Sequence, residues 1–130
     1  DTDLVAWLDA DDFLPPDTLT LRRQAFAADP SLEMLVGLNR IWDVDTGEET
    51  VFPRPPVDAG YFESGLLSRQ NLPHTNVLTF RRSALARIGA FNRRFRTAED
   101  LDLWVRAWVQ LRWAFVPEVL SVQRTGSYPS

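Results

Sequence analysis

A five-residue apolar run, Leu4-Val-Ala-Trp-Leu8, leads without a break into Asp9-Ala-Asp-Asp12, and Pro15-Pro16 then interrupts the chain. This order constrains the fold more than any other stretch. A short continuous apolar run reads as a strand buried on both faces, as in a parallel sheet. Three carboxylates at its end cannot enter a core unpaired, so the chain must leave the sheet there. In open α/β sheets that position, the carboxyl end of a strand, is where ligands bind. Only three residues precede Leu4, and a buried parallel strand needs a neighbour on each side. The expectation is one domain over residues 1–130 that continues a larger one.

Downstream segments alternate between the two periods. A helix is expected over Asp17–Ala28, with Asp17 as N-cap and Asp29-Pro30 as its stop. Glu33–Val44 reads as a strand, Asp45-Thr-Gly-Glu48 as a turn, and Val51-Phe52 as the returning strand. Phe52–Gly60 is a proline-rich loop, Tyr61–Arg69 a short helix and Asn71–Thr75 a polar loop. Asn76–Arg81 is a strand, and Ser83–Ile88 a helix capped by Ser83 and ended by Gly89. Ala98–Gln110 is the strongest helix, its stripe formed by Leu101, Trp104, Val105, Trp108 and Leu111. Trp113–Val116 and Val119–Gln123 are closing strands around Pro117-Glu118. Strands alternating with helices give an α/β layered fold.

Composition removes several functions. The 130 residues include no cysteine, so disulfides, zinc–thiolate centres and thiol nucleophiles are excluded together. A net charge of −4 gives no basic footprint for a nucleic acid. No apolar run reaches the ~18 residues of a membrane span, and no signal peptide is visible, so a cytoplasmic domain is expected. All 14 basic residues are arginine. Phosphatases and receiver domains whose strand ends in paired aspartates usually need a lysine in the site, and this chain has none.

Four places offer chemistry. Asp9, Asp11 and Asp12 can share a hard cation, and all-oxygen ligation selects Mg²⁺ or Mn²⁺; equally, such a loop can cap the next helix or face solvent. Asp100 follows Thr97 by three residues, the spacing of a capping box. It also lies at the core edge of its helix, where a carboxylate can act as general base. His74, the single histidine, and Arg124 can each bind phosphate or remain surface residues. Trp42, Trp104, Trp108 and Trp113 offer stacking faces, although helical spacing assigns most of them to packing.

Three stretches together resemble the family 2 glycosyltransferases of GT-A fold. They are Val5–Leu19, like that family's DxD strand and Pro-Asp-x-Leu helix start; Thr79–Asn92, like its "arrs-l-iG-Fd" segment; and Ala98–Arg106, like its "ED-DLW-R" helix. The resemblance implies a partial GT-A fold, a mixed sheet with flanking helices whose first nucleotide-binding βαβ region is missing. It implies transfer of a sugar from a nucleotide-diphospho-sugar donor to a carbohydrate or glycan-precursor hydroxyl, metal-dependent and inverting. Asp11 would hold the metal with Asp9; Asp9, Asp12 and Arg124 would contact the donor; Asp100 would be the base; His74 is a further candidate donor contact from its own place in the polar loop. The Gln-x-x-Arg-Trp motif of processive members is not evident, since Gln110-Leu-Arg-Trp113 has other spacing, so single-sugar transfer is expected. Without the base-binding region the fragment is expected to be weak or inactive alone, and to pair with another copy through the edge at Leu4–Leu8. A non-catalytic cation-binding or assembly module derived from the fold is the alternative.

Overall fold

Met34-Leu-Val-Gly-Leu38 is buried side chain after side chain, so both faces of this strand must be covered. It begins β2 (Met34–Asp43), the central strand of a five-stranded sheet in the computed structural model, which describes residues 3–52, 73–91, 94 and 99–126. The side chains of residues 99 and 100 lie outside the described residues, as do the expected helix at 61–69 and most of the loops around it.

Along one edge of β2 runs β5 (Trp113–Thr125), parallel to it. Two short strands share the other edge. β4 (Leu78–Arg81) lies antiparallel against Met34–Val36, and β3 (Glu49–Phe52) lies antiparallel against Asn39–Trp42. β1 (Leu4–Ala6) closes the far side by pairing antiparallel with β4. The fold is therefore mixed α/β with a mixed sheet and flanking helices. The expected buried parallel strand at Leu4–Leu8 is instead a three-residue antiparallel strand, half-buried, at the end of the sheet.

One apolar layer joins Met34, Val36 and Phe80 to α2 (Arg82–Ile88) and α3 (Glu99–Gln110) through Leu85, Ile88, Leu103 and Trp104. The other joins Leu35, Val77 and Leu120 to Phe26 of α1 (Thr18–Ala28). The buried face of α3 is Leu103, Trp104, Ala107 and Leu111, while Val105 is exposed. Trp104, Trp108 and Trp113 pack ring against tilted ring in succession there, as the packing reading expected. Asp102 and Arg106 pair at 2.8 Å, and Arg106 also donates to the carbonyls of Ile88 and Ala90, closing the end of α2. Gly89, at φ 84°, ends α2 as expected. The expected caps differ. Asp17 sits at φ 65° with no side-chain cap bond, and Arg81 rather than Ser83 precedes α2.

The two expected closing strands form one, because the interruption at Pro117-Glu118 is absorbed as a bulge. Between Val36 and Leu38 the register on β5 jumps from Phe115 to Val119, and between Leu38 and Asn39 from Val119 to Ser121. Proline has no N–H for a ladder and is tolerated at such irregularities. Leu120 is thereby left without a partner on β2, and its side chain enters the space beside Gly37. A Cβ at position 37 would overlap the Leu120 side chain.

The carbonyl of Leu120 still needs a donor. Arg22, 2% exposed on α1, supplies one from Nη2 at 2.7 Å, and the Thr18 hydroxyl supplies another at 3.2 Å. The same guanidinium donates to the Asn76 carbonyl at 3.0 Å and the Thr79 hydroxyl at 3.2 Å. Burial pushes its pKa down to about 10, so it remains charged at neutral pH. Removing it strands several buried acceptors at once. Arg22→Ala is expected to cost about 3 kcal/mol, read as a lower urea midpoint at unchanged slope, with Arg22→Lys restoring less than half.

Glu33 clamps the start of β2. It accepts from the Arg112 N–H at 3.0 Å and pairs with Arg87 on α2. The backbone bond and, behind it, Arg87 hold its carboxyl below the ordinary value of 4.5, against the upward push of partial burial. A depressed carboxylate stabilises above its unfolded pKa and loses that contribution as pH falls through the folded one. Unfolding free energy is expected to drop more steeply between about pH 5 and 3 in the native sequence than in Glu33→Gln.

Candidate functional site

The chain leaves β1 at Ala6 and next touches the sheet on its opposite side. There Phe13 exchanges both backbone hydrogen bonds with Val122 of β5, at 3.1 and 2.8 Å. Residues 7–12 therefore bridge from one outer strand to the other, which carries the acidic loop across the end of β4. A turn within the loop, Asp12 N–H to the Asp9 carbonyl at 3.1 Å, brings those two aspartates together.

Asn76 holds the bridge from below. It is fully buried in the 3-10 turn Thr75–Val77 that leads into β4. Its Oδ1 accepts from the Asp9 N–H at 3.2 Å and its Nδ2 donates to Asp12 Oδ2 at 3.0 Å. The other oxygen of Asp12 accepts from the Arg124 backbone N–H at 3.0 Å. One amide thus fixes both ends of the acidic turn, and β5 fixes the far end again. Sequence reasoning passed over Asn76. Its one signal was position: a small bifunctional polar residue opening an apolar strand, two residues after the only histidine.

His74 caps the same turn. Its Nδ1 accepts from the Asn76 N–H at 3.2 Å, and its Nε2 lies 3.4 Å from Asp9 Oδ2. The ligand atoms of Asp9, Asp12 and His74 all lie within 4.8 Å of one another, close enough to share an ion. The cap decides which of them do. An accepting Nδ1 carries a lone pair, so the neutral ring bears its proton on Nε2. A metal-bound histidine needs the reverse, with its second nitrogen donating. Ligation through Nε2 would turn an Nδ1–H against the Asn76 N–H and break the cap. The geometry therefore favours the two carboxylates as ligands, with Nε2–H as a donor to Asp9 or to an incoming oxygen. The oxygen donor set that remains suits Mg²⁺ or Mn²⁺.

The other expected site residues are placed as follows. Asp11 is exposed on the turn and is not one of the convergent trio. Arg124 contributes its backbone N–H to Asp12, while its guanidinium lies 5.8 Å from the centre of the Trp42 ring. Phe13, 44% exposed, meets Trp42 edge to face with centroids 6.5 Å apart. Trp42 is thus the tryptophan of the expected four that stands beside the acidic turn rather than in the helix-covered layer. Asp100 lies in the first turn of α3, and its side chain, with the expected cap Thr97, is outside the described residues.

Removal of the Asn76 amide tests this construction. Asn76→Ala is expected to raise hydrogen exchange at the Asp9 and Arg124 amides by tenfold or more, about 1.4 kcal/mol of local protection, beyond any change in the core strands. Unchanged protection at both amides would show that the turn is held by something else.

Protein-family models give no match to this chain, and neither do curated proteins.

Proposed function

We propose that this chain carries the metal- and diphosphate-binding part of a glycosyltransferase, one that moves a sugar from a nucleotide-diphospho-sugar to an acceptor hydroxyl with inversion. The observation that carries this reading is the convergence of Asp9, Asp12 and His74 on a braced turn at the carboxyl end of β1. Its three-motif resemblance to family 2 enzymes of GT-A fold supplies the reaction class. A bound Mg²⁺ or Mn²⁺ would neutralise charge on the leaving diphosphate.

The chain's own residues have distinct tasks in this scheme. Asp9 and Asp12 would hold the ion, which would supply positive charge for phosphate oxygens. Asp11, exposed on the same turn, is the further ligand that the resemblance names. His74 Nε2–H, oriented by its cap, donates to Asp9 or to a phosphate or sugar oxygen. Arg124 adds positive charge beside the Trp42 ring, and Phe13 and Trp42 offer an aromatic face for a sugar ring. Asp100 is the residue assigned to take the proton from the attacking hydroxyl. The proposed setting is the cytoplasm, where nucleotide sugars are the donors.

Calorimetric titration of Mn²⁺ with and without UDP tests the site. The expected result is Mn²⁺ binding that UDP strengthens, and that Asp9→Asn and Asp11→Asn each weaken about tenfold or more. Tight Ca²⁺ binding indifferent to UDP would instead establish a non-catalytic cation module. Absence of any metal binding with UDP present would remove the proposal.

A further inference from the structure

A groove of about 730 Å³ runs between β1 and α1, away from the acidic turn. Its two walls are unlike. On the helix side are Leu19, Arg22, Arg23, Phe26 and Ala27, a single face at spacings of three and four. On the sheet side Leu4, Val5 and Ala6 line it in succession. Consecutive strand residues point to opposite faces, so a groove touching all three runs along the strand's edge.

That edge has a defined hydrogen-bonding pattern. The Asp3 carbonyl accepts from the Arg82 N–H at 2.7 Å, and Val5 stands opposite Phe80. In an antiparallel pair the residues that bond across alternate with those that do not. Asp3 and Val5 therefore turn their backbone groups towards β4, and Leu4 and Ala6 turn theirs outward into the groove. Among the described residues nothing pairs with them. α1 overhangs this edge with Leu19, 58% exposed, and with exposed Arg23 and Ala27. One further strand placed beside β1 would find its backbone partners in Leu4 and Ala6 and a helix already above it.

The groove also has a charge. Arg22, Arg23 and Arg81 line it against one carboxylate, Asp3, in a chain of net charge −4. Arg22 is committed to the fold. Arg81 is partly so: its Nε donates to the Leu32 carbonyl at 3.0 Å, and its guanidinium lies 5.2 Å from the centre of the Phe26 ring. Its Nη2 is buried with no acceptor among the described residues. That nitrogen is enclosed, so a carboxylate in the groove would meet the charge of the guanidinium as a whole rather than this atom.

We propose that this groove is a strand-docking site. It takes an extended polypeptide segment that pairs with Leu4 and Ala6, is apolar towards α1, and bears a carboxylate at the end beside Arg23 and Arg81. Backbone pairing gives such a complex its affinity, and the side-chain contacts give it selectivity. A second copy of this chain fits less well. A dyad through β1 sets both α1 helices and both Arg23 side chains over one junction, where like charges meet. Docking here is independent of the sugar-transfer reading, since no residue of the acidic turn lines the groove.

The test uses a labelled eight-residue peptide of alternating valine and threonine ending in two aspartates, followed by fluorescence anisotropy on the full chain. Binding is expected in the range of about 1–100 μM. It should weaken about tenfold in Arg23→Glu and vanish when alternate peptide nitrogens are methylated, which removes ladder hydrogen bonds without altering the protein. Amide exchange at Leu4 and Ala6 should slow in the complex. Equal binding of the methylated peptide, or none at millimolar concentration, overturns the proposal. So does a concentration-dependent dimer, seen by light scattering, whose formation slows exchange at the same two amides.

Discussion

The buried guanidinium of Arg22 is the interaction on which the remaining structure depends. A buried charge usually needs an opposite one, since desolvation is expensive. Here it is met by neutral oxygens: the carbonyls of Leu120 and Asn76 and the hydroxyls of Thr79 and Thr18. Each acceptor is in a different part of the sheet layer or in α1 itself. The need for so many donors arises locally. Pro117 cannot join a ladder, β5 takes up the surplus residues as a bulge, and Leu120 is turned off β2 with its carbonyl unpaired. Gly37 leaves room for the displaced Leu120 side chain. An irregular strand, a glycine and a buried arginine are thus one solution to one problem.

That solution reaches the candidate site through a single residue. The Asn76 carbonyl is tied to Arg22, while its side-chain amide is tied to the Asp9 N–H and the Asp12 carboxylate. Helix docking and the position of the acidic turn therefore meet at one residue, through its backbone carbonyl and its side-chain amide. The turn has little else of its own: Asp9 is exposed, and the surrounding residues 7–12 belong to no strand. A carboxylate pair brought together on a turn fixed by its donors has already met part of the cost of ordering, so a cation arriving there has less to rearrange. The same bracing constrains His74. A ring whose Nδ1 is used as a cap acceptor can offer only a proton at Nε2, which makes it a partner for oxygen rather than for metal.

Much of this was legible in the sequence where it depends on local periodicity. The strand at 33–44, the hairpin return at 51–52, the stop at Gly89 and the tryptophan packing on α3 all follow from apolar spacing and turn chemistry. The misreadings arise where distant partners decide. Leu4–Leu8 has the apolarity of a central strand, yet among the described residues it pairs only with β4, and Ala6 is exposed. Asp17 has the chemistry of a cap, but its left-handed backbone directs the side chain elsewhere. Val105 fits the helical stripe by spacing and faces solvent because Leu103 and Ala107 define the packed side. At the site, three carboxylates in four residues announced themselves. Their division into Asp9 and Asp12 within the trio and Asp11 outside it did not, because that depends on Asn76, 64 residues from Asp12. Arg22 lies on the inward face of α1, and no pattern in the helix says that its charge is met by the neutral oxygens of carbonyls and hydroxyls.

The two outward features of the molecule then differ in kind. The acidic turn is preorganised: its donors and acceptors are paired to one another, and a ligand would join a geometry that is already set. The groove at β1 is incomplete, with outward strand backbone, an overhanging apolar helix face and a buried Arg81 nitrogen lacking an acceptor among the described residues. Arg22 lies between them, lining the groove while holding the carbonyl of Asn76. Arg22 is 2% exposed before any strand is seated, so docking would leave its surroundings as dry as they are, and its hold on the turn stands whether or not the groove is filled.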